Sequence, residues 1–190
     1  MLRLIIEALC FKGDMKIHIT GNAGSGKSTL ARRLGDILEI PVHSLDSVVW
    51  KKGWEKTAAD ERTKKERELA KNTTWIIEGV STIIREEADF IVFLDYARFS
   101  CIARAFKRNM KYLFKSRPEL PENCPEIFIV SKLLKIIWNF DVLAKPNILR
   151  SMSVKEGVRI RSDKEIVKFI SEVQHNQKLK RMRKKRAPLS

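Results

Sequence analysis

The chain has 190 residues, of which 44% are hydrophobic and 32% charged, and its formal net charge is +15. This composition is that of a soluble globular protein, and the length suits one domain with short appendages. The longest apolar runs fall far short of the roughly 18 residues of a membrane span, and no secretory cleavage site follows the opening segment. Membrane-spanning and secreted proteins are therefore disfavoured, and we expect a cytoplasmic protein.

The basic charge is concentrated at one end. Seven basic residues and no acidic residue lie in the last thirteen positions. We predict a basic disordered tail over 176–190, which is a candidate contact for nucleic acid. The remainder is still basic, which favours an anionic ligand. At the other end, the first strand opens at Met15, so residues 1–14 are predicted to be an N-terminal extension.

The first predicted elements alternate between strand and helix. "MKIHIT" at 15–20 predicts a strand, and a helix follows from Lys27 until Pro41 ends it. Further strands are predicted at "PVHSL" (41–45), "TTWIIEG" (73–79), "DFIVFLD" (89–95) and "GVRIR" (157–161), with a charged helix at about 60–71. This alternation indicates a five-stranded parallel sheet with helices on both faces, in which ligands bind at the carboxyl ends of the strands.

The second half is predicted to be mostly helical. In the helix from Arg98, one stripe consists of Phe99, Ile102, Phe106, Met110 and Leu113, and a basic edge consists of Arg104, Arg108, Lys111 and Lys115. The three prolines of "SRPELPENCPE" exclude a regular helix there and predict a loop. "IFIVSKLLKIIWNF" at 127–140 predicts a mostly buried helix, and "KEIVKFISEV" at 164–173 predicts another.

The loop after the first strand carries the strongest motif. Gly21, Gly26, Lys27 and Ser28 fit the pattern of a P-loop, in which backbone N–H groups wrap phosphates, the lysine reaches the outer phosphates and the hydroxyl binds Mg²⁺. A glycine-rich turn without a ligand is the alternative, but the loop lies between a predicted strand and helix, as the motif requires. We predict binding of ATP and Mg²⁺ by Gly21, Asn22, Ala23, Gly24, Ser25, Gly26, Lys27, Ser28 and Thr29.

Three acidic residues end predicted strands. Glu78 and Asp95 each follow an apolar run, and either could hold the metal through water or simply cap its strand. Asp46 follows the second strand, where a carboxylate could accept a proton from an attacking hydroxyl, bind substrate, or serve as a helix N-cap. His43, a lone histidine near a strand, is predicted to be structural.

Arginines of the predicted helix and loop suit phosphoryl transfer. Arg104 and Arg108 lie on the basic edge, and Arg117 lies in the proline-rich loop. Arginines stabilise the charge that is spread over a moving phosphoryl group, and a mobile loop excludes water. The alternative is an ordinary solvated helix face.

Several of these segments together resemble a known family. They are "MKIHITGNAGSGKSTLARRLG", "LDSVVW", "WIIEGV", "ADFIVFLDYAR", "RPELPENCPE" and "IIWNF". In this order they resemble the adenylate-kinase-like P-loop proteins often called DNA topology modulation proteins, over about 15–173. The resemblance implies a three-layer α/β P-loop NTPase fold of nucleoside-monophosphate-kinase type. Its kinase-like domain would span 15–175, with a short lid at about 108–126.

The resemblance also implies the metal and nucleotide ligands. The acid that ends the third strand of these kinases lies beside the P-loop, which favours Glu78 over Asp95 as the metal-linked carboxylate, together with Ser28. Arg104 and Arg108 match the lid-base arginines that contact ATP.

Three further arginines take roles from the same resemblance. Arg117 matches the lid arginine near the phosphates, and Arg85 would face the acceptor pocket. Arg161 lies in "RSD" at 161–163, where such kinases pack the adenine. Adenylate kinases carry "DGFPR" after the third strand, whereas this chain has "EGVST", so the resemblance does not imply AMP as the acceptor.

The leading hypothesis is an ATP-dependent phosphotransferase that moves the γ-phosphoryl group to a small-molecule or nucleotide acceptor. Its catalytic residues would be Lys27, Arg108, Arg117 and Asp46, and its acceptor would bind near Asp46, Glu78 and Arg85. A nucleotide-regulated DNA-binding protein and a simple ATP hydrolase are the alternatives. The oligomeric state is not predicted.

Overall fold

The computed structural model describes residues 14–51, 55–111 and 130–186. The strands are β1 (Lys16–Gly21), β2 (Val42–Ser44), β3 (Trp50–Lys51), β4 (Glu55–Lys56), β5 (Trp75–Glu78), β6 (Phe90–Leu94) and β7 (Glu156–Ile160). The helices are α1 (Lys27–Leu38), α2 (Asp46–Val49), α3 (Ala59–Lys71), α4 (Thr82–Glu87), α5 (Arg98–Lys111), α6 (Val130–Leu143), α7 (Lys145–Met152) and α8 (Asp163–Arg186). None of these helices is long and apolar enough to cross a membrane.

Five strands form one parallel sheet in the order β2-β5-β1-β6-β7. All five predicted strands are therefore confirmed, and so is the three-layer α/β fold. In register, Ser44 of β2 and Ile19 of β1 both lie beside Glu78, so the carboxyl ends of these strands meet at one edge. A separate antiparallel pair, β3 and β4, was not predicted.

Alternating side chains of the strands build a core on each face of the sheet. On β6, Phe90 and Val92 pack in the larger core, which includes Leu34 of α1 and Phe169 of α8. The opposite core contains Ile77 of β5 and is completed by residues of the segments from α2 to α4. Because strand side chains alternate between faces, the three central strands β5, β1 and β6 are buried on both sides, whereas the edge strands β2 and β7 are only partly buried.

The P-loop packs closely on α5 through small residues. A Cβ atom added to Gly24 would lie 2.3 Å from the carbonyl oxygen of Cys101 and 3.3 Å from the Cβ of Ala105. Cys101 and Ala105 are accordingly the buried residues of this helix, whereas Phe99 and Phe106 are 76% and 65% exposed. Phe99 and Phe106 of the predicted stripe are therefore not on the buried face, where the loop leaves room only for small side chains, whereas Ile102 packs partly buried against the larger core.

Helix α6 is less buried than predicted. Ile137 and Phe140 are buried, but Leu134, Ile136 and Trp138 are 45%, 49% and 54% exposed. A guanidinium from the neighbouring helix α5, that of Arg98, lies 4.4 Å from the centre of the Trp138 ring. The helix therefore packs through one narrow stripe instead of lying in the core.

The predicted bounds of the basic tail, the N-terminal extension and the lid can be compared with the described residues. Helix α8 continues to Arg186, so the prediction of a disordered tail from residue 176 differs from the structure, which is helical as far as it is described. The lysines and arginines of this segment are good helix formers, which explains the extension. The predicted extension at 1–14, apart from Asp14, and most of the predicted lid at 108–126 lie outside the described residues.

A buried histidine lies at the centre of the sheet. His18 of β1 is fully buried, and its Nε2–H donates to the carbonyl oxygen of Gly79 at 3.1 Å. Burial, together with the positive charges of Arg85, Lys27 and Lys155, lowers the pKa of His18 to about 3, against the opposing effect of the hydrogen bond to Gly79. The ring is therefore neutral in the folded protein near neutral pH.

We expect His18 to make the protein less stable in acid. Below its ordinary pKa of 6.5 the unfolded chain takes up a proton that the folded chain does not, so stability falls as the pH drops from 6.5 towards 3. Between pH 7 and pH 5 the loss is about 2 kcal/mol from this residue. Urea unfolding of the wild type and of His18→Gln, whose amide retains a donor for Gly79, measures this difference.

The matched control for this prediction is His175→Gln, because His175 is exposed on α8. It should retain the pH dependence of the wild type. Equal pH dependence in the wild type and in His18→Gln would contradict the assignment.

Candidate functional site

A cavity of about 1040 Å³ opens at the carboxyl edge of the sheet. One side is the P-loop and the start of α1, and the other sides are α2, β3, the turn after β5, α5 and α6. Among the described residues its charged lining consists of Lys27, Arg32, Asp46, Lys56, Arg62, Glu78, Arg104, Lys107, Arg108, Lys132 and Lys135. Nine cationic side chains therefore face two carboxylates, which favours an anionic ligand.

The P-loop has the backbone conformation of an anion cradle. Gly24 and Gly26 have φ angles of 80° and 97°, in the left-handed region that glycine adopts without strain. A Cβ atom at Gly26 would meet no atom within 4 Å, so that side of the loop is open. Gly26 also caps α1 without a side-chain hydrogen bond, which leaves the first N–H groups of the helix available to a ligand.

Most residues of the predicted nucleotide loop line the cavity, and two support it. The lining residues are Gly21, Ala23, Gly24, Gly26, Lys27, Ser28 and Thr29. Asn22 and Ser25 are 3% and 0% exposed and lie beneath the loop. Their side chains are therefore not available to the nucleotide, and contact through their backbone N–H groups stays a prediction.

Lys27 bridges the two ends of the loop. Its Nζ donates to the carbonyl oxygen of Asn22 at 2.9 Å. Burial lowers the pKa of Lys27, while the negative charges of Glu78 and Asp46 oppose that shift and Arg108 adds to it. These four charged groups are therefore close enough to influence each other at one end of the cavity.

Glu78 is held by two hydroxyl groups. Ser28 Oγ donates to Glu78 Oε1 at 3.1 Å, and Ser44 Oγ donates to the same oxygen at 2.5 Å. Burial raises the pKa of Glu78, and the charge of Lys27 and the two hydroxyls oppose the rise. The acid that ends the third strand of the main sheet thus lies beside the P-loop serine, as the family resemblance implied.

Asp95, the alternative metal carboxylate, is committed to other partners. Its Oδ1 pairs with Lys145 Nζ at 2.8 Å, and its Oδ2 accepts from Arg159 Nε, also at 2.8 Å. Burial would raise the pKa of Asp95, but these two cations outweigh it and hold the pKa below its ordinary value. Asp95 fastens β6 to β7 and α7, which favours Glu78 over Asp95 for the metal.

Asp46 lies on the wall of the cavity that faces the P-loop. It is the first residue of the short helix α2, whose N-cap is Leu45, so it does not fill the N-cap position that was the alternative. Its backbone N–H donates to Ser44 Oγ at 3.3 Å, which links it to the hydroxyl that holds Glu78. The carboxylate is partly exposed and lines the cavity.

The predicted arginines of α5 reach the cavity. Arg104 and Arg108 both line it. The Arg104 guanidinium stacks 4.1 Å from the centre of the Tyr96 ring and donates to both carboxylate oxygens of Asp163 at 2.9 Å. Arg117 lies outside the described residues, so its role stays a prediction.

Arg85 does not face the cavity, contrary to expectation. It is 5% exposed, and its guanidinium donates to Ser151 Oγ at 2.9 Å and to Thr82 Oγ1 at 3.2 Å. Helix α4 turns this side chain towards α7, where Arg85 fastens the two helices together. Arg161 is exposed after β7 and is not among the residues that line the cavity, so its contact with adenine stays a prediction.

The sequence interpretation missed the wall beyond Asp46. Trp50 pairs in register with Lys56 in the β3–β4 ribbon, and the Lys56 Nζ lies 5.8 Å from the centre of the Trp50 ring. Arg62 of α3 completes this wall. The spacing of Arg62 and Glu66, four residues apart in a predicted helix, was a usable signal for an ion pair.

The residues present fit a magnesium nucleotide. The hydroxyl of Ser28 and the carboxylate of Glu78 are hard oxygen ligands of the kind that Mg²⁺ prefers, either directly or through water. The open cradle at Gly26 and the ammonium of Lys27 suit phosphate oxygens. These residues would hold the ion and the phosphates.

Comparison with solved structures bears out the fold. A shikimate kinase from Bacteroides thetaiotaomicron is 16% identical with a TM-score of 0.53, and the match covers 88% of this chain and 98% of that one. A shikimate kinase from Acinetobacter baumannii, in complex with shikimate, is 15% identical with a TM-score of 0.51, over 92% and 96%. A gluconokinase from Sinorhizobium meliloti 1021 is 15% identical with a TM-score of 0.51, over 92% and 98%.

No protein-family model and no curated protein sequence matches the chain. At such low identity the structural matches show a shared fold, that of P-loop kinases. The narrower resemblance to DNA topology modulation proteins is not shown by them.

Asn22 connects the P-loop to α6. Its Nδ2 donates to the carbonyl oxygen of Ile137 at 2.9 Å, and its Oδ1 accepts from the N–H of Ala23 at 2.8 Å. We expect Asn22→Ala to lower the free energy of unfolding by about 1–2 kcal/mol, because both hydrogen bonds are lost in a buried place. Urea unfolding measures this loss, and hydrogen exchange should show faster opening of α6.

Helix α3 is the internal control for this prediction, because the side-chain hydrogen bonds of Asn22 involve Ile137 and Ala23 and not α3. Its amides should exchange at the wild-type rate apart from the global loss of stability. Unchanged exchange in α6 would show that the bond to Ile137 does not hold that helix.

Proposed function

We propose that this protein is an ATP-dependent kinase that transfers the γ-phosphoryl group to the hydroxyl of a small molecule. The observation that carries the proposal is the meeting of Lys27, the Ser28–Glu78 pair and Asp46 at one end of a single cavity. The kinase names of the structural neighbours agree with it.

The donor half of the site would bind ATP. The P-loop N–H groups and Lys27 would hold the phosphates, and Arg104 and Arg108 would lie along them. Ser28 and Glu78 would hold Mg²⁺, which supplies charge neutralisation of the phosphate oxygens when bound. Fixed positive charge in a partly dry cavity stabilises the transferring group most where its charge is greatest.

The acceptor half is best suited to a hydroxyl group. A carboxylate at Asp46 repels a second phosphate group but can accept a proton. The hydroxyl oxygen would form a bond to the γ-phosphorus, its proton would pass to Asp46, and the bond from the γ-phosphorus to the bridging oxygen would break, leaving ADP with the electron pair.

The basic chain end takes no part in this proposal. None of the residues of 178–186 is among those that line the cavity. Nucleic acid as a partner of the chain end stays a prediction from the sequence. A simple ATP hydrolase would use the same donor half, and an assay without acceptor distinguishes it from a kinase.

Replacing Lys27 by Ala should lower the turnover number by a factor of about 10² or more, because a preorganised charge at the phosphates is lost. A coupled assay of ADP release, run with and without an acceptor panel, measures it. Lys168→Ala, an exposed position on α8, should behave as wild type. Full turnover in Lys27→Ala would overturn the mechanism.

Glu78→Gln should weaken the Mg²⁺ dependence of ATP binding by a factor of about 10–100, since the carboxylate charge near the ion is lost while the shape is kept. Titration calorimetry with ATP at several Mg²⁺ concentrations measures this change. Asp95→Asn serves as the contrast, because it should lower the free energy of unfolding by about 1–3 kcal/mol and leave Mg²⁺ dependence intact. The reverse pattern would assign the metal to Asp95.

A further inference from the structure

The wall of the cavity beyond Asp46 combines apolar surface with fixed cations. Leu45, Val49, Trp50 and Val80 provide the apolar part, and Lys56 and Arg62 provide the positive charge. Helix α3, which carries Arg62, packs against α2, which carries Asp46. A molecule whose hydroxyl reaches Asp46 would therefore have its other end on this wall.

Arg62 is held by a buried carboxylate. Its Nε lies 3.3 Å from Glu66 Oε1, and the Glu66 side chain is 4% exposed whereas that of Arg62 is 47% exposed. Among the described residues this is the one recorded side-chain partner of Arg62. The terminal nitrogens of a guanidinium held through Nε remain suited to a planar oxyanion.

Glu66 is itself held by the turn after β5. Ser81 Oγ donates to Glu66 Oε2 at 2.7 Å and accepts from the N–H of Ile84, so the same hydroxyl caps α4. The carboxylate of Glu66 thus connects Arg62 to "EGVS" (78–81), the segment that begins with Glu78. A buried carboxylate with both oxygens engaged fixes its arginine partner better than a surface ion pair does.

We propose that the acceptor carries an anionic oxyacid group, carboxylate or phosphate, which Arg62 binds, and that Glu66 is the residue that positions Arg62. This inference rests on the proposed kinase function. Lys56, above the Trp50 ring, adds a second positive charge on the same wall. The substrate class is therefore a small hydroxylated acid whose carbon skeleton contacts the apolar part of the wall.

The test compares acceptors with and without an anionic group. The panel consists of gluconate and gluconamide, shikimate and its methyl ester, and ribose 5-phosphate and ribose, with ADP release measured against a control without acceptor. We expect the wild type to favour an anionic member over its neutral counterpart. The carboxylate and phosphate pairs distinguish the two anionic groups.

Two variants separate recognition from stability. Arg62→Gln combined with Glu66→Gln removes the ion pair without leaving a buried charge unpaired, so the protein should remain folded. It should raise KM for the favoured anion about tenfold or more, the loss expected for a charged hydrogen bond. It should affect kcat little and remove the preference over the neutral counterpart. Arg62→Lys, which keeps a charge for Glu66 but not the guanidinium fork, should also raise KM.

The control is Glu61→Gln combined with Lys65→Gln, a second ion pair on α3, at 2.9 Å, whose residues are not among those lining the cavity. It should leave KM unchanged. The inference would be overturned, while the kinase function stands, by either of two results. One is equal turnover of the neutral and anionic members, and the other is an unchanged preference in the Arg62 and Glu66 double variant. Absence of transfer to every member by the wild type would overturn the proposed function, and the inference with it.

Discussion

A buried carboxylate at the end of a central strand organises this protein. Glu78 lies on β5, between β2 and β1. Its Oε1 accepts hydrogen bonds from the hydroxyl groups of Ser28 on α1 and Ser44 on β2. Burial of a carboxylate is unfavourable unless it is hydrogen-bonded and near a positive charge. Ser28, Ser44 and Lys27 meet that requirement, and in doing so they bring the P-loop and the second strand to the same point.

A second constraint is that Gly24 of the P-loop has no side chain, which allows a helix to pack directly on the loop. Because Gly24 approaches the backbone of Cys101 closely, α5 lies directly against the phosphate loop. The residues next to the small contact face, Arg104 and Arg108, then line the cavity. The position of the cations therefore follows from a glycine and two small residues as much as from the cations themselves.

Local patterns in the sequence were sufficient for the sheet and for the position of the P-loop between β1 and α1. Short apolar and β-branched runs identified the five strands, and the glycine spacing identified the loop that follows β1. The same patterns failed where helices meet other elements. Phe99 and Phe106 have the right period but lie on the exposed side of α5, since nothing in the spacing reveals that a loop packs on Cys101. Arg85 failed for a similar reason, because its partner Ser151 is distant in the chain.

The resting arrangement of Arg104 bears on ligand affinity. Its guanidinium is already oriented by the Tyr96 ring and by Asp163, whose side chain is 75% exposed. An exposed ion pair of this kind contributes at most about 1 kcal/mol, so exchanging Asp163 for an anionic ligand reduces affinity by no more than about fivefold. In return the arginine loses little rotational freedom on binding. In the proposed function, Asp163 would thus occupy the place of the anionic ligand and keep the Arg104 guanidinium in position until the ligand binds.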